Sequence, residues 1–393
     1  MSGFGPTGEN PFEGIPFLND LSRMMRSSGP VNWDAARQFA VQVATGGAIE
    51  SNPDPLERMH LNELFRVADL HVADATGLPT STTGALLRVT PVTRHEWTTR
   101  TLDAYRPLLE RLAGSLSVKP TLDPNMPHLP DGADQFFEGM FSLITPLMLG
   151  MQAGAMVGNL ATRSLGQFDL PLPRPASDEL LVVSPNLHAF SEEWSLQPDD
   201  LFLWVALSEL THHVVLGLPH VRNRLEGLVL DYVKGFQLDP EALQSSLEGV
   251  DPTDPQGMQR ALGDPTVLLG VMRSPQQALL MPQLEALVTV IAGYVDHILD
   301  TVGTTLIATY GQLTEALRRR RLEASSGDQL VEHLFGLHLG RDQYERGTAF
   351  VAGVIERGGH DGLARLWTSE RELPTPAEVD APGLWLARID LPA

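Results

Sequence analysis

Twenty consecutive positions in the middle of the chain constrain its fold more than any others. From Pro198 to Gly217 the sequence reads PDDLFLWVALSELTHHVVLG, which is apolar on almost every side of a helical wheel. A helix without a solvent face has to be enclosed by other elements, so this segment predicts a buried central helix over Asp199–Leu216. Pro198, Asp199 and Asp200 suit its first turn, because proline has no amide to waste there and acids meet the positive end of the helix dipole. Gly217 and Pro219 stop it.

Three polar residues interrupt that helix on one side: Ser208, Glu209 and His212. They occupy the positions of an H-E-x-x-H motif, with serine in place of the first histidine. In an intact motif two imidazoles one turn apart grip a metal, and the glutamate polarises the metal-bound water. With 49 acidic residues and 12 histidines in 393, however, an acid three positions before a histidine is expected by chance alone. The spacing by itself therefore predicts a buried Glu209–His212 pair that satisfies its own hydrogen bonds.

The remaining pattern is helical, and the fold class expected is mainly α, with a small β element before the central helix and an extended C-terminal tail. Helical periodicity starts near Trp33, with Asn32 or Asp34 as cap, and recurs at Pro55–Ala75, His95–Leu116, Gln135–Leu165, Val221–Gly235, Pro275–Thr301 and Arg341–Arg357. Glu179–Ser184 (ELLVVS) is the most strand-like run. Residues 1–31 form an apolar, Gly- and Pro-rich arm, residues 32–175 an N-terminal helical lobe, and residues 176–393 a second lobe with the central helix. Tyr344, Gly347 and Phe350 fit the packed face of an amphipathic helix. Trp367 and Trp385 are placed to pin the tail to the body.

Gly139–Ala161 carries no charge and is long enough to cross a bilayer, but Pro146, Gln152 and Asn159 interrupt it and no basic or aromatic flank marks its ends. Gly150, Gly154 and Gly158 form one smooth stripe, so a buried core helix is expected and no membrane span. The net charge of −21 argues against a nucleic-acid partner. The run Arg318–Arg321 is read as cations at the negative end of a helix dipole. The absence of cysteine excludes disulfides, thiolate metal sites and cysteine nucleophiles, and fits a cytoplasmic protein. The first residues show no basic patch followed by an apolar stretch, so no secretory signal is expected.

The central helix with its flanks, LWVALSELTHHVVLGLPHVRNRL, resembles an actinobacterial zincin-like family of zinc-dependent metallopeptidases, some of whose members carry names linking them to coenzyme F420 biosynthesis or call them hydrolases. The likeness extends to NPFEGIPFLNDL, GPVNWDAARQFAVQVA, LGMQAGAMVGNLATRSLGQFDLPLPR, VEHLFGLHLGRDQYERGTAFV and LARLWTSERELPTPAEVDAPGLWLARI. It implies a zincin-like multi-helix fold, with Glu209 at the general-base position and His212 at the second ligand position. Ser208 replaces the first histidine ligand. Where the resemblance implies Glu-Gly-His and a third ligand, this chain has Ala292, Gly293 and Tyr294.

Two of three implied ligands are thus lost, and one imidazole does not hold zinc against water. The expected function is a non-catalytic binding or scaffold protein with a degenerate metal site and no cofactor, its partner a protein or peptide in the old cleft. In that case Glu209 has to be paired with His212 or protonated. The alternative is an active zinc-dependent hydrolase with Glu209 as base and a rearranged ligand set that draws on His212, His297 and His338. His213 points about 100° away from His212 on the helix, and His220 lies beyond the helix break.

Overall fold

The structure is a computed structural model that describes residues 29–81, 83–116, 133–236, 274–322, 331, 334–337 and 339–391. The expected arm falls almost wholly outside these residues, as does His338. In chain order the elements are α1 (Trp33–Thr45), α2 (Pro55–Thr76), β1 (Arg88–Val92), α3 (Arg94–Leu116), α4 (Ala133–Ala161), β2 (Glu179–Val183), α5 (Ser184–Glu193), α6 (Pro198–Gly217), α7 (Pro219–Lys234), α8 (Pro275–Leu306), α9 (Tyr310–Leu322), α10 (Arg341–Ala364), α11 (Pro376–Val379) and α12 (Pro382–Ile389). The fold is mainly α, as the periodicity requires.

The central helix α6 is buried on every side, from Leu201 through Leu216 with His212 alone partly open. It packs against α2 and α8, and it meets α7 at an angle of 86° where Leu218 and Pro219 break the helical ladder. Asp200, in the first turn, accepts hydrogen bonds from the amide and hydroxyl of Thr309, which fastens the start of α9 to the start of α6. Among the described residues, α8 is the one helix long and apolar enough to span a membrane by composition. It lies in the core between α6, α7 and α10, buried along most of its apolar window.

The glycine stripe of α4 is a contact surface. A Cβ on Gly150, Gly154 or Gly158 would lie 2.3, 2.4 or 2.7 Å from the carbonyl oxygens of Asn32, Ala36 and Ala40 on α1. The two backbones therefore touch, with alanine as the facing residue. Gly293 of α8 and Gly347 of α10 repeat the device: a Cβ on Gly293 would meet the Gly347 carbonyl carbon at 2.2 Å.

The expected strand Glu179–Val183 is present, and its partner is β1, which pairs with it in parallel register, Arg88 opposite Glu179 through Val92 opposite Val183. The segment RVTPV had not been expected as a strand, because five residues with a proline give little alternation to read. One continuous cluster of buried apolar side chains runs from Ala40 to Ile389, across the position expected to divide two lobes. The extended tail is corrected: residues 376–389 form α11 and α12. The prolines that suggested extension sit in the first turns, where a missing amide costs nothing, and Thr375 and Glu378 cap α11 reciprocally. Trp385 is fully buried and donates to the Glu372 carbonyl at 2.6 Å, so it does hold the tail down.

Because Gly154 touches a carbonyl oxygen, Gly154→Val is expected to destabilise the fold by about 1–3 kcal/mol or more in urea unfolding. Gly114→Ala, on an open face of α3 where a Cβ meets nothing within 4 Å, should be neutral or stabilising by up to about 1 kcal/mol.

Candidate functional site

The site is built where the loop after α4 crosses α6. After Ala161 the chain turns, and Gly166 forms an isolated antiparallel bridge with Val182 of β2. Three side chains clamp this loop. Asn186 donates to the carbonyls of Ala161 and Ser164, Trp97 Nε1 donates to the Gly166 carbonyl at 2.9 Å, and Asp169 accepts from the Leu165 amide. The clamps aim the amides of Gln167 and Phe168 at one point, and the Glu209 carboxyl occupies it, accepting from them at 2.9 and 3.1 Å.

The expected Glu209–His212 pair does not form. Glu209 turns to the loop amides, while His212 Nδ1 bonds the Ser208 carbonyl at 2.9 Å. A carbonyl can only accept, so Nδ1 carries the proton and Nε2 is left as an acceptor. The imidazole stacks on Phe168, with centroids 5.9 Å apart and planes 16° from parallel. Gly166 is required by this arrangement: a Cβ there would fall 2.3 Å from a Glu209 oxygen.

Burial dominates the protonation of both groups. It raises Glu209 to about 8, with the Asp169 charge adding to the effect and the two amides opposing it. Burial, with the Arg321 charge adding to it and the hydrogen bond to Ser208 opposing it, lowers His212 to about 4. Both are therefore mostly neutral near pH 7.

Ser208, His212 and Ala292 line one pocket of about 250 Å³, so the two α6 positions and the α8 position converge as the resemblance implies. Glu209 lies behind this wall. His297 is elsewhere: it lines a separate cleft with Gly293, Asp300 and Thr348, and stacks on His360 at 6.1 Å. Five residues past Ala292 is about 140° around the helix, too far to share its face. Tyr294 points into the core and packs edge-on against Trp367, 5.1 Å between centroids. His213 is buried beside Asp178, 3.6 Å away.

The rest of the pocket wall went unrecognised in the sequence. Arg321 enters it from α9, forks onto both oxygens of Asp296 at 3.0 and 3.1 Å, and lies over the Tyr344 ring at 4.4 Å. Arg320 bonds Asp169 at 2.7 Å and the Arg163 carbonyl. The basic run was read as a dipole cap, but the spacing held a stronger signal. Leu313, Ala316 and Leu317 are buried, and positions 320 and 321 continue that same i, i+3, i+4 stripe inward.

Catalytic or structural zinc needs three or four protein donors. Among the described residues of this wall His212 is the one imidazole, Ser208 and Ala292 occupy the other two implied ligand positions, and both carboxylates, Asp169 and Asp296, are held by guanidinium groups. No group of three His, Cys, Asp or Glu side chains among the described residues could hold a metal ion. This donor set does not fit zinc.

The chain belongs to the zincin-like metallopeptidase family, whose family model matches residues 31–386. Its fold is similar to that of a protein from Chloroflexus aurantiacus described as a candidate hydrolase with a novel fold. The TM-score is 0.64 at 23% identity, over 92% of this chain and all of the other. No curated protein matches the chain.

The Glu209 result fixes a pH dependence. Its folded value lies above the unfolded one of 4.5, so its contribution is fully present below pH 4.5 and is lost as pH rises towards 8. Glu209→Gln cannot ionise. Thermal or urea unfolding should show the wild type losing up to about 4 kcal/mol relative to this variant between pH 5 and pH 8.

Proposed function

We propose that this protein is a metal-free, non-catalytic member of its family that uses the former catalytic pocket to bind a ligand. The observation that carries the reading is Arg321. Its guanidinium lies in the same pocket wall as Ser208, His212 and Ala292, paired to Asp296 and ringed by Tyr344 and Trp204. A dication placed there would meet a fixed positive charge and a carboxylate already committed to it.

Glu209 supports the same reading. A general base has to be ionised at working pH and reach the water it activates. Here burial keeps the group mostly protonated near neutrality, and its oxygens face two backbone amides. In this reading Glu209 has become a structural residue that pins the loop 162–169 onto α6.

Metal analysis of purified wild-type protein tests the proposal. The expected outcome is zinc well below one equivalent per chain and no hydrolysis of peptide substrates. A full equivalent of zinc that is lost in His212→Ala would overturn it. The role of Arg321 has its own check. Ser208→His combined with Ala292→Glu restores two donors, yet zinc titration should show at least about tenfold weaker binding than the same variant with Arg321→Met added. Equal affinity would remove Arg321 from the explanation.

A further inference from the structure

We propose that the pocket beside His212 is a receptor for a carboxylate borne on an apolar body, with the guanidinium groups of Arg320 and Arg321 recognising the anion. The proposal rests on the metal-free reading above and deepens it by naming the ligand chemistry.

Charge is the first argument. In a chain of net charge −21, this concavity is lined by Arg163, Arg320, Arg321 and Arg341 against two carboxylates, Asp169 and Asp296. Glu345 pairs with Arg341 at the rim and reduces the excess without cancelling it. A local reversal of sign inside a strongly acidic protein draws an anion towards this wall, and the neighbouring cleft that shares Arg163 and Arg320 extends the same positive patch.

Donor geometry is the second. A guanidinium has five N–H donors in a planar fork, which matches the two oxygens of a carboxylate. Arg321 spends two on Asp296, and Arg320 directs Nη2 to Asp169 and the Arg163 carbonyl. The acids therefore act as anchors that hold both forks at fixed angles, and each guanidinium keeps donors beyond those bonds. The side chains of Arg320 and Arg321 are 17% and 26% exposed, so they are held in the wall while still reaching the cavity. Pre-oriented forks of this kind lose little entropy when a second anion arrives.

The apolar part of the wall decides between anions. Leu160, Phe168, Leu170, Leu317 and Leu337 face the same space. Beyond Trp204 and Tyr344 the pocket adjoins a larger groove of about 620 Å³, which shares Arg321 and Asp296 with it. A compact dianion such as phosphate would leave that surface bare and bring more charge than the wall balances. A monocarboxylate with an aliphatic body satisfies both halves. Such a group comes from a free aliphatic acid or from the C-terminal residue of a peptide.

Calorimetric titration of the full-length, EDTA-treated protein at pH 7 tests this with four probes: octanoate, N-acetyl-leucine, N-acetyl-leucinamide and inorganic phosphate. At least one of the two acids should bind, at least about tenfold more tightly than N-acetyl-leucinamide and than phosphate. Preference for octanoate marks a free acid as the natural source, and preference for N-acetyl-leucine marks a peptide terminus. Arg320→Gln should weaken acid binding at least tenfold while leaving the circular dichroism and melting temperature close to wild type. Arg321→Lys, which keeps the charge but loses the fork, should also weaken it. The proposal fails if neither acid binds, if acid and amide bind equally, or if Arg320→Gln binds like wild type. Acid binding that appears only after zinc is added would instead overturn the metal-free reading.

Discussion

A carboxyl group buried in an apolar helix has to be answered by hydrogen bonds, and in this fold the answer comes from a loop more than forty residues away in sequence. Glu209 receives the amides of Gln167 and Phe168, and that contact orders the ground around it. Gly166 has no side chain because the carboxyl fills the space. Phe168, held in place by its amide, becomes the platform on which His212 stacks. Trp97, Asn186 and Asp169 close the loop from three directions, so the contact ties α3, α4, β2, α5 and α6 into one junction.

The pocket is assembled on that junction, and its electrostatics follow from how α9 is docked. Asp200 of α6 fixes the start of α9 through Thr309, which sets the rotation of the helix and turns Arg320 and Arg321 inward. Asp169 of the clamped loop and Asp296 of α8 then take up one guanidinium each. Among its described residues the pocket wall thus carries cations already paired to acids. The family relationship establishes the scaffold, and the chemistry of the site is argued from these side chains.

Much of this was legible in the residues. A segment apolar all round had to be a buried helix, and the glycine stripe of α4 had to face a close neighbour, which is α1. Ser208, His212 and Ala292 could be placed together from the resemblance, and they share one pocket. Other features were not legible. Glu209 lies one turn from His212 in sequence and bonds elsewhere, since a helix of buried side chains takes its polar partners from whatever backbone is brought against it. His297 was grouped with the site by its helix, but the face it shares is that of Gly293, which is closed against Gly347.

The sequence by itself determined the long helices and the strand β2, though not β1 or the tail helices α11 and α12, because hydrophobic period, proline at helix starts and glycine at close approaches act through neighbours a few residues apart. It also determined which metal donors the two α6 positions and the α8 position can offer, since alanine has no donor atom and zinc sites are built from Cys, His, Asp and Glu, not from a serine hydroxyl. Only the tertiary structure decided what those positions face. The direction of Arg320 and Arg321, the partner of Glu209 and the neutrality of His212 depend on burial and on contacts between distant segments. Burial determines whether a charged group is paired, neutralised or exposed, and it is set by the way the helices pack, which no local pattern in the chain contains.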